Sequence, residues 1–242
     1  MYQHRPDLDQ PKDEVVLWRY FTLVKFEKLI KDQSIFFCRA DKFDDPLEGR
    51  TPRGTVREMY RSSPPFVAGA VQMVRDMFRG KTYVSCWRED QEESQAMWSS
   101  YAANATGVAV KTTVGRLKSS ITAEESFVLA RVRYLDFDSH PNVNDIHQQM
   151  LIKSLDFQGE SEVRLIHLTD VAGGRLDEVM QPKTEPGINL KTNLCDLMEE
   201  VVMGANASES DMKSVKRGLV EINCLAKLRM SNLGQSSPTR KG

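Results

Sequence analysis

The sequence predicts a mixed α+β fold, a β-sheet flanked by helices, on three observations. Short runs of β-branched and aromatic residues, such as residues 15–21 and 82–87, recur along the chain. Stretches with apolar residues at helical spacing stand between them. Strands and helices also intermix without strict βα alternation, which argues against a doubly wound sheet. The balance of the 242 residues, 40% hydrophobic and 28% charged, is that of a globular protein rather than a disordered or fibrous one.

Several function classes are disfavoured at once. Lys and Arg number 33 against 34 Asp and Glu, so no global basic field exists to hold nucleic acid. No run approaches the ~18 apolar residues of a membrane span, so no membrane partner is expected. The polar start MYQHRPDLDQPKDE is unlike a secretory signal, and a cytoplasmic setting is expected. The 4 cysteines, Cys38, Cys86, Cys195 and Cys224, contain no CxxC and read as reduced thiols. The histidines form no HExxH, and no metal is expected. GxGxxG and GxxxxGK[ST] loops are absent.

The elements follow in order. Residues 1–14 read as a polar arm, and 15–21 as the first strand. Thr22 caps a helix over 23–32, with Phe26, Leu29 and Ile30 on one face. Residues 34–39 form a second strand, and 40–53 a loop rich in turn residues. A helix over 66–79 ends at Gly80. Strand 82–87 precedes a helix that Asp90 starts, with Glu93 as its capping partner, and that runs to about Asn104. Strands 107–111 and 127–135 follow, then a helix over 142–155 and strand 162–168. Residues 170–186 are looser, with Gly173-Gly174, Pro182 and Pro186. Strands 187–191 and 199–203 flank a helical turn. Ser208 caps a helix ending near Ile222, and 225–230 is the last strand. The expected organisation is an arm over 1–14, a single α+β domain over 15–233 and a disordered tail over 234–242.

Charged and aromatic residues on the strands are the candidates for chemistry. If strand 162–168 extends back, Glu160, Glu162 and Arg164 project from one face, since residues two apart share a side. They suit a cleft that handles a polar ligand; a solvated strand end is the bland alternative. Tyr83, Ser85 and Trp87 alternate likewise, and a hydroxyl between two aromatics suits a stacking pocket or a core strand. Cys86 faces the other way, into the core. Arg19, between Trp18 and Tyr20, has the planar donors that meet a phosphate. Asp44, Asp45 and Glu48 around Pro46 suit either a turn or a hard cation. The helix holding Met97, Trp98, Tyr101 and Ala102 has the spacing of a core helix. Arg131 and Arg133 make a basic patch too small for a nucleic-acid signal.

In combination these pieces resemble a bacterial domain-of-unknown-function family, the one numbered twenty-nine seventy-one. The pieces stand in the family's order: Trp18-Arg19-Tyr20, Phe43-Asp44-Asp45-Pro46-Leu47-Glu48, Val84-Ser85-Cys86-Trp87, Met97-Trp98-Ser99-Ser100-Tyr101-Ala102 and Gly107-Val108-Ala109-Val110. Val132-Arg133-Tyr134, Lys153, Glu160-Ser161-Glu162-Val163-Arg164-Leu165-Ile166, Val201-Val202-Met203-Gly204 and Ser231-Asn232-Leu233 follow. One departure stands out: the family usually has an aromatic shortly before its double Glu and often another before the Arg, whereas here Phe157 stands three residues before Glu160 and Val163 precedes Arg164.

A weaker resemblance supplies an activity. A basic residue on the first strand, a Ser on a middle strand and Glu-x-Glu opening a late strand are similar to the Arg–Ser–Glu arrangement of ADP-ribosyltransferases. Arg19, Ser85, Glu160 and Glu162 match it, although Cys86 and Trp87 replace the usual run after the Ser. The resemblance implies a split, ADP-ribosyltransferase-like sheet and NAD as substrate, with ADP-ribosyl transfer to an unknown macromolecular acceptor or to water. Glu162 then stabilises the oxocarbenium-like state, Glu160 acts on the acceptor, and Arg19 clamps the pyrophosphate. Ser85 holds the ribose or supports Glu162, and Tyr83, Trp87 and Tyr101 are candidates to stack on the bases. Two other classes stay open. One is a non-catalytic nucleotide-sensing or protein-binding module. The other is a metal-dependent nuclease using Asp44, Asp45, Glu48, Glu160 and Glu162.

Overall fold

The computed structural model describes residues 1–104, 106–139, 141–169 and 185–233. It is a mixed α+β structure whose ladders are mostly antiparallel and are flanked by helices. The chain divides into two compact units, each assembled from separated segments. The first takes Met1–Pro11, Phe36–Cys86 and Glu124–Leu190; the second takes Lys12–Ile35, Trp87–Ala123 and the chain from Lys191 onward.

In the second unit, β1 (Val16–Phe21) pairs antiparallel along its whole length with β4 (Val108–Thr113). On β4 lies β10 (Glu200–Met203), antiparallel, and then β11 (Lys227–Met230), parallel. Alternation buries Trp18 and Tyr20 with Ala109 and Val202 in one cluster. Helix α1 (Leu23–Asp32) buries Phe26, Leu29 and Ile30, and Thr22 caps it by accepting the Lys25 N–H. It packs against α8 (Glu209–Glu221), where Gly218 lets the backbone approach Ile30.

Ser208 and Asp211 close a reciprocal capping box on α8. We expect Ser208→Ala to lose about 1 kcal/mol, read as a melting point lower by roughly 2–4 °C, because the cap satisfies helix N–H groups that have no other partner.

Helix α4 (Gln95–Tyr101) starts later than the sequence suggests, with Ser94 as its cap accepting the Met97 N–H. Asp90 instead accepts the Glu92 N–H and pairs with Arg88 at 2.7 Å. The expected partner Glu93 is drawn inward, taking Trp98 Nε1 at 3.1 Å and Arg229 Nη1 at 2.7 Å, together with the Ser231 hydroxyl. Trp98 and Ala102 face the core as expected; Tyr101 does not, at 45% exposure. The helix stops at Tyr101 because Ala103 and Asn104 turn left-handed, with φ of 48° and 54°.

In the first unit, β2 (Ser34–Arg39) pairs with β3 (Thr82–Glu89) through Cys38–Val84 and Arg39–Tyr83. β9 (Gly187–Lys191) lies on β2, and β8 (Glu162–Leu168) pairs with both β3 and β5 (Val128–Arg131). Beyond Cys86, β3 continues in the second unit, where Arg88 and Glu89 pair with Trp18 and Leu17 of β1.

The segment expected as one strand over 127–135 divides at Val132. Val128–Arg131 pairs with β8, and β6 (Arg133–Leu135) turns to β7 (Ile152–Ser154) in parallel. The helix expected over 142–155 shrinks to α6 (Ile146–Met150), because Asp145 caps it late and the buried Ile152 is taken into β7. Arg53, expected at the end of the loop, and residues 54–62, unassigned on sequence, form α2 (Arg53–Ser62) ahead of α3 (Pro65–Arg79).

The polar N-terminal segment is docked rather than free. Gln3 N–H donates to the Phe127 carbonyl, Arg131 N–H to that of Asp9, and Leu8 enters the first unit's core with Val84, Val128 and Ile166. The tail over 234–242 and most of 170–186 lie outside the described residues. No described helix is long and apolar enough to cross a membrane.

Candidate functional site

The first unit gathers charges from four separate stretches of sequence. The Asp44–Glu48 segment is a turn, with Asp45 Oδ1 accepting the Leu47 N–H at 2.9 Å and its carbonyl accepting that of Glu48 at 3.1 Å. The turn sends Glu48 inward, to 4% exposure. Strand β7 supplies Lys153, also buried. The 3-10 turn Leu155–Glu160 delivers Glu160, and β8 delivers Glu162 and Arg164.

The expected strand through Glu160 does not form. Ser161 is left-handed at φ 46°, so Glu160 and Glu162 are not alternate residues of one strand. They converge nevertheless. Lys153 Nζ lies 2.5 Å from Glu160 Oε2, 3.0 Å from Glu162 Oε1 and 3.6 Å from Glu48 Oε2. Arg164 Nε donates to Glu162 Oε2 at 2.7 Å, and its Nη2 stands 2.6 Å from both Glu48 and Glu162. Arg164 Nη1 donates to the Met150 carbonyl at 2.6 Å, and Glu162 N–H donates to Tyr134 Oη at 2.8 Å. Two rings complete the shell: Phe157, 4.7 Å from the Lys153 ammonium, and Phe43, 6.0 Å from Arg164. Phe157 thus supplies the aromatic contact near the double Glu.

The two neighbouring carboxylates are driven apart. Burial raises the Glu162 pKa, but Arg164 and Lys153 outweigh it, so the group is held well below the usual carboxylate range. Glu160 goes up, through burial and through its hydrogen bond with Glu162, against the opposing pull of Lys153. Burial also pushes the Tyr134 hydroxyl and the Cys86 thiol up to about 12. Cys86 packs against the core, as its place on the strand predicted. The two carboxylates are thus pushed in opposite directions, Glu162 toward its ionised form and Glu160 toward its protonated one.

Lys153 and Glu48 were not assigned to this pairing on sequence. Lys153 stood only among the family pieces, and Glu48 stood there and in the carboxylate set of the nuclease alternative; the turn that brings Lys153 to Glu160 has no periodicity to read. Each of the three carboxylates, Glu48, Glu160 and Glu162, is paired with at least one of the two cations, Lys153 and Arg164. Among the described residues no set of His, Cys, Asp or Glu side chains is arranged to hold a metal ion.

The remaining candidates distribute over both units. In the first, Ser85 is fully buried on β3, and Tyr83 is buried with its ring 6.2 Å from His167. In the second, Arg19 is half-buried with its guanidinium 5.3 Å from the Phe21 ring and 5.5 Å from that of Trp87. Trp87 is buried with no acceptor for its indole N–H among the described residues, and Tyr101 is exposed. Arg131 of the small basic patch pairs with Asp9 at 3.0 Å.

Residues 97–165 match the model of a family described as a protein of unknown function, DUF2971, which bears out the first resemblance over that stretch. No curated protein matches the chain. Two solved structures are similar to it at 8% identity. One is Thermus sp. 2.9 DarT in complex with NAD+, with a TM-score of 0.40 over 91% of this chain and 96% of that one. The other is Thermus sp. 2.9 DarT in complex with carba-NAD+, with a TM-score of 0.37 over 91% and 97%.

Proposed function

We propose that this chain breaks the bond between ribose and nicotinamide in NAD and passes the ADP-ribosyl group to a macromolecular acceptor or to water. The observation that carries the reading is the carboxylate pair on Lys153: Glu162 held ionised, Glu160 raised and the more accessible of the two. Cleavage leaves positive charge on the ribose, as in other glycosidic reactions. A fixed carboxylate in a dry setting stabilises that charge without having to reorganise.

The step balances simply. The bond from the ribose C1′ to the nicotinamide nitrogen breaks, and its electron pair leaves with neutral nicotinamide. The acceptor oxygen or nitrogen bonds C1′, and its proton passes to Glu160. Arg164 and Lys153 keep Glu162 charged and hold it in one orientation. Ser85, fully buried on the strand that pairs with β8, fits support of the site better than direct contact with ribose. The roles of Arg19 on the pyrophosphate, and of Tyr83, Trp87 and Tyr101 on the bases, rest on the sequence pattern.

The test is nicotinamide release from NAD by the purified chain, with and without cell extract to supply an acceptor. Release is expected. Neither release nor calorimetric binding of NAD would transfer the site to the non-catalytic class. A base with a raised pKa also sets a pH limb. Glu160 is active when deprotonated, so turnover should climb with pH through a value above the ordinary Glu 4.5. Glu160→Gln should lose that limb and fall by about a hundredfold with a macromolecular acceptor, less with water. A limb that persists in this variant assigns the titration to another group.

A further inference from the structure

A second cationic group in the first unit has no carboxylate bound to it among the described residues. Arg75 and Arg79 stand one turn apart at the end of α3, so their side chains share a face. Arg75 Nη2 donates to the Val143 carbonyl at 2.8 Å. Its Nη1 and the Nε of Arg79 are buried and have no hydrogen-bond partner among the described residues. The nearby carboxylates act on Arg79 only through space, and each is already engaged. Asp41 accepts from Arg39 at 2.5 Å, Asp76 from Gln72 at 3.2 Å, and Glu48 is paired with Arg164.

The backbone brings a third cation to the same place. Gly49 sits at φ +64°, and a side-chain carbon there would lie 3.6 Å from Arg79 Nε and 2.7 Å from the Met150 methyl. Only glycine lets this chain pass so close. The residue after it, Arg50, is exposed, and its charge bears on Arg79. Burial and this like charge both lower the pKa of Arg79, and burial lowers that of Arg75. Buried donors without acceptors and like charges brought together are unfavourable unless an anion joins them. Guanidinium N–H groups match the oxygens of a phosphate.

We infer that Arg79, Arg75 and Arg50 form a subsite for a phosphate group, Arg50 being separated from Glu48 of the carboxylate cluster only by Gly49. Its assignment to the diphosphate of a nucleotide, in place of the role the sequence pattern gave Arg19, rests on the NAD reading; the anion site itself does not. The subsite deepens that reading by placing a phosphate in the same unit as Glu160 and Glu162.

The experiment is calorimetry and thermal melting of the full chain with inorganic phosphate, inorganic pyrophosphate, ADP-ribose and NAD. Wild type should bind pyrophosphate and ADP-ribose saturably and melt higher with either. Arg79→Gln should weaken binding about tenfold or more, the scale of one hydrogen bond to a charged group. Arg50→Gln, at an exposed position, should weaken it about threefold while the anion-free melting point stays put. Tighter binding of ADP-ribose than of pyrophosphate assigns the subsite to a nucleotide, and equal affinity assigns it to free phosphates. Arginine-dependent binding in a chain that releases no nicotinamide sustains the subsite and removes the NAD reading. Nicotinamide release with no such binding, or binding unchanged in both variants, overturns the subsite alone.

Discussion

Glu162→Gln should lower nicotinamide release from NAD by a hundred- to a thousandfold. The substitution keeps the size of the side chain and a carbonyl oxygen for Lys153 and Arg164, and it removes only the charge. An oxocarbenium-like state needs that charge; ground-state binding does not. Loss of one preorganised electrostatic group raises a barrier by about 2.7–4 kcal/mol, which is the stated factor in rate. The loss should therefore fall on kcat with little change in KM. Glu162 also balances two buried cations, so the variant should melt a few degrees lower, and the assay belongs well below that point. Release that survives at wild-type rate in a folded variant would remove Glu162 from the chemistry.

The local elements were legible because their signals are local. Thr22 and Ser208 cap the helices that their sequences announce, and α3 ends at Gly80. β1 and β8 form where their β-branched and aromatic runs predict them, with β8 buried at every residue but its last. What misled was competition from distant partners. Asp90 and Glu93 have the spacing of a capping pair, but Arg88 takes the first, and Trp98, Arg229 and Ser231 take the second. The strand over 127–135 reads as continuous, yet at Val132 the backbone leaves β8 for β7. A single left-handed Ser161 undoes the shared strand face of Glu160 and Glu162.

The site was legible in part for the same reason. Glu160, Glu162 and Arg164 stand together in sequence, and Arg164 does pair with Glu162 as a neighbour two residues on should. Their meeting with Lys153 is made by a turn that no periodicity encodes. Glu48 reaches them because its Asp-Pro turn faces inward, whereas such turns commonly face solvent. Arg75 and Arg79 carried no motif, and their interest lies wholly in what burial leaves unpaired.

The largest change in stability should come from Arg164→Met. This side chain is 1% exposed and joins Glu48, Glu162 and the Met150 carbonyl. Met fills a similar volume, so packing is nearly preserved and the loss is electrostatic. Removing one partner of a buried ion pair strands the others and costs about 3–5 kcal/mol. For a chain of this size that is a melting point lower by roughly 6–20 °C. The deficit should depend on pH with a definite sign. In wild type the Glu162 pKa is depressed below its ordinary 4.5, so the stability it adds is present above that value and is lost as pH falls through the depressed one. Without Arg164 the main cause of the depression is gone, and protonation of Glu162 relieves the variant. The gap between the two proteins should therefore narrow below about pH 4.5. Arg164→Lys, which keeps the charge but not the paired donors, should fall between them. Melting curves of the three proteins from neutral to acid pH make the check. An Arg164→Met protein that melts within 2 °C or so of wild type, or a gap that widens in acid, would show that Lys153 alone holds these carboxylates.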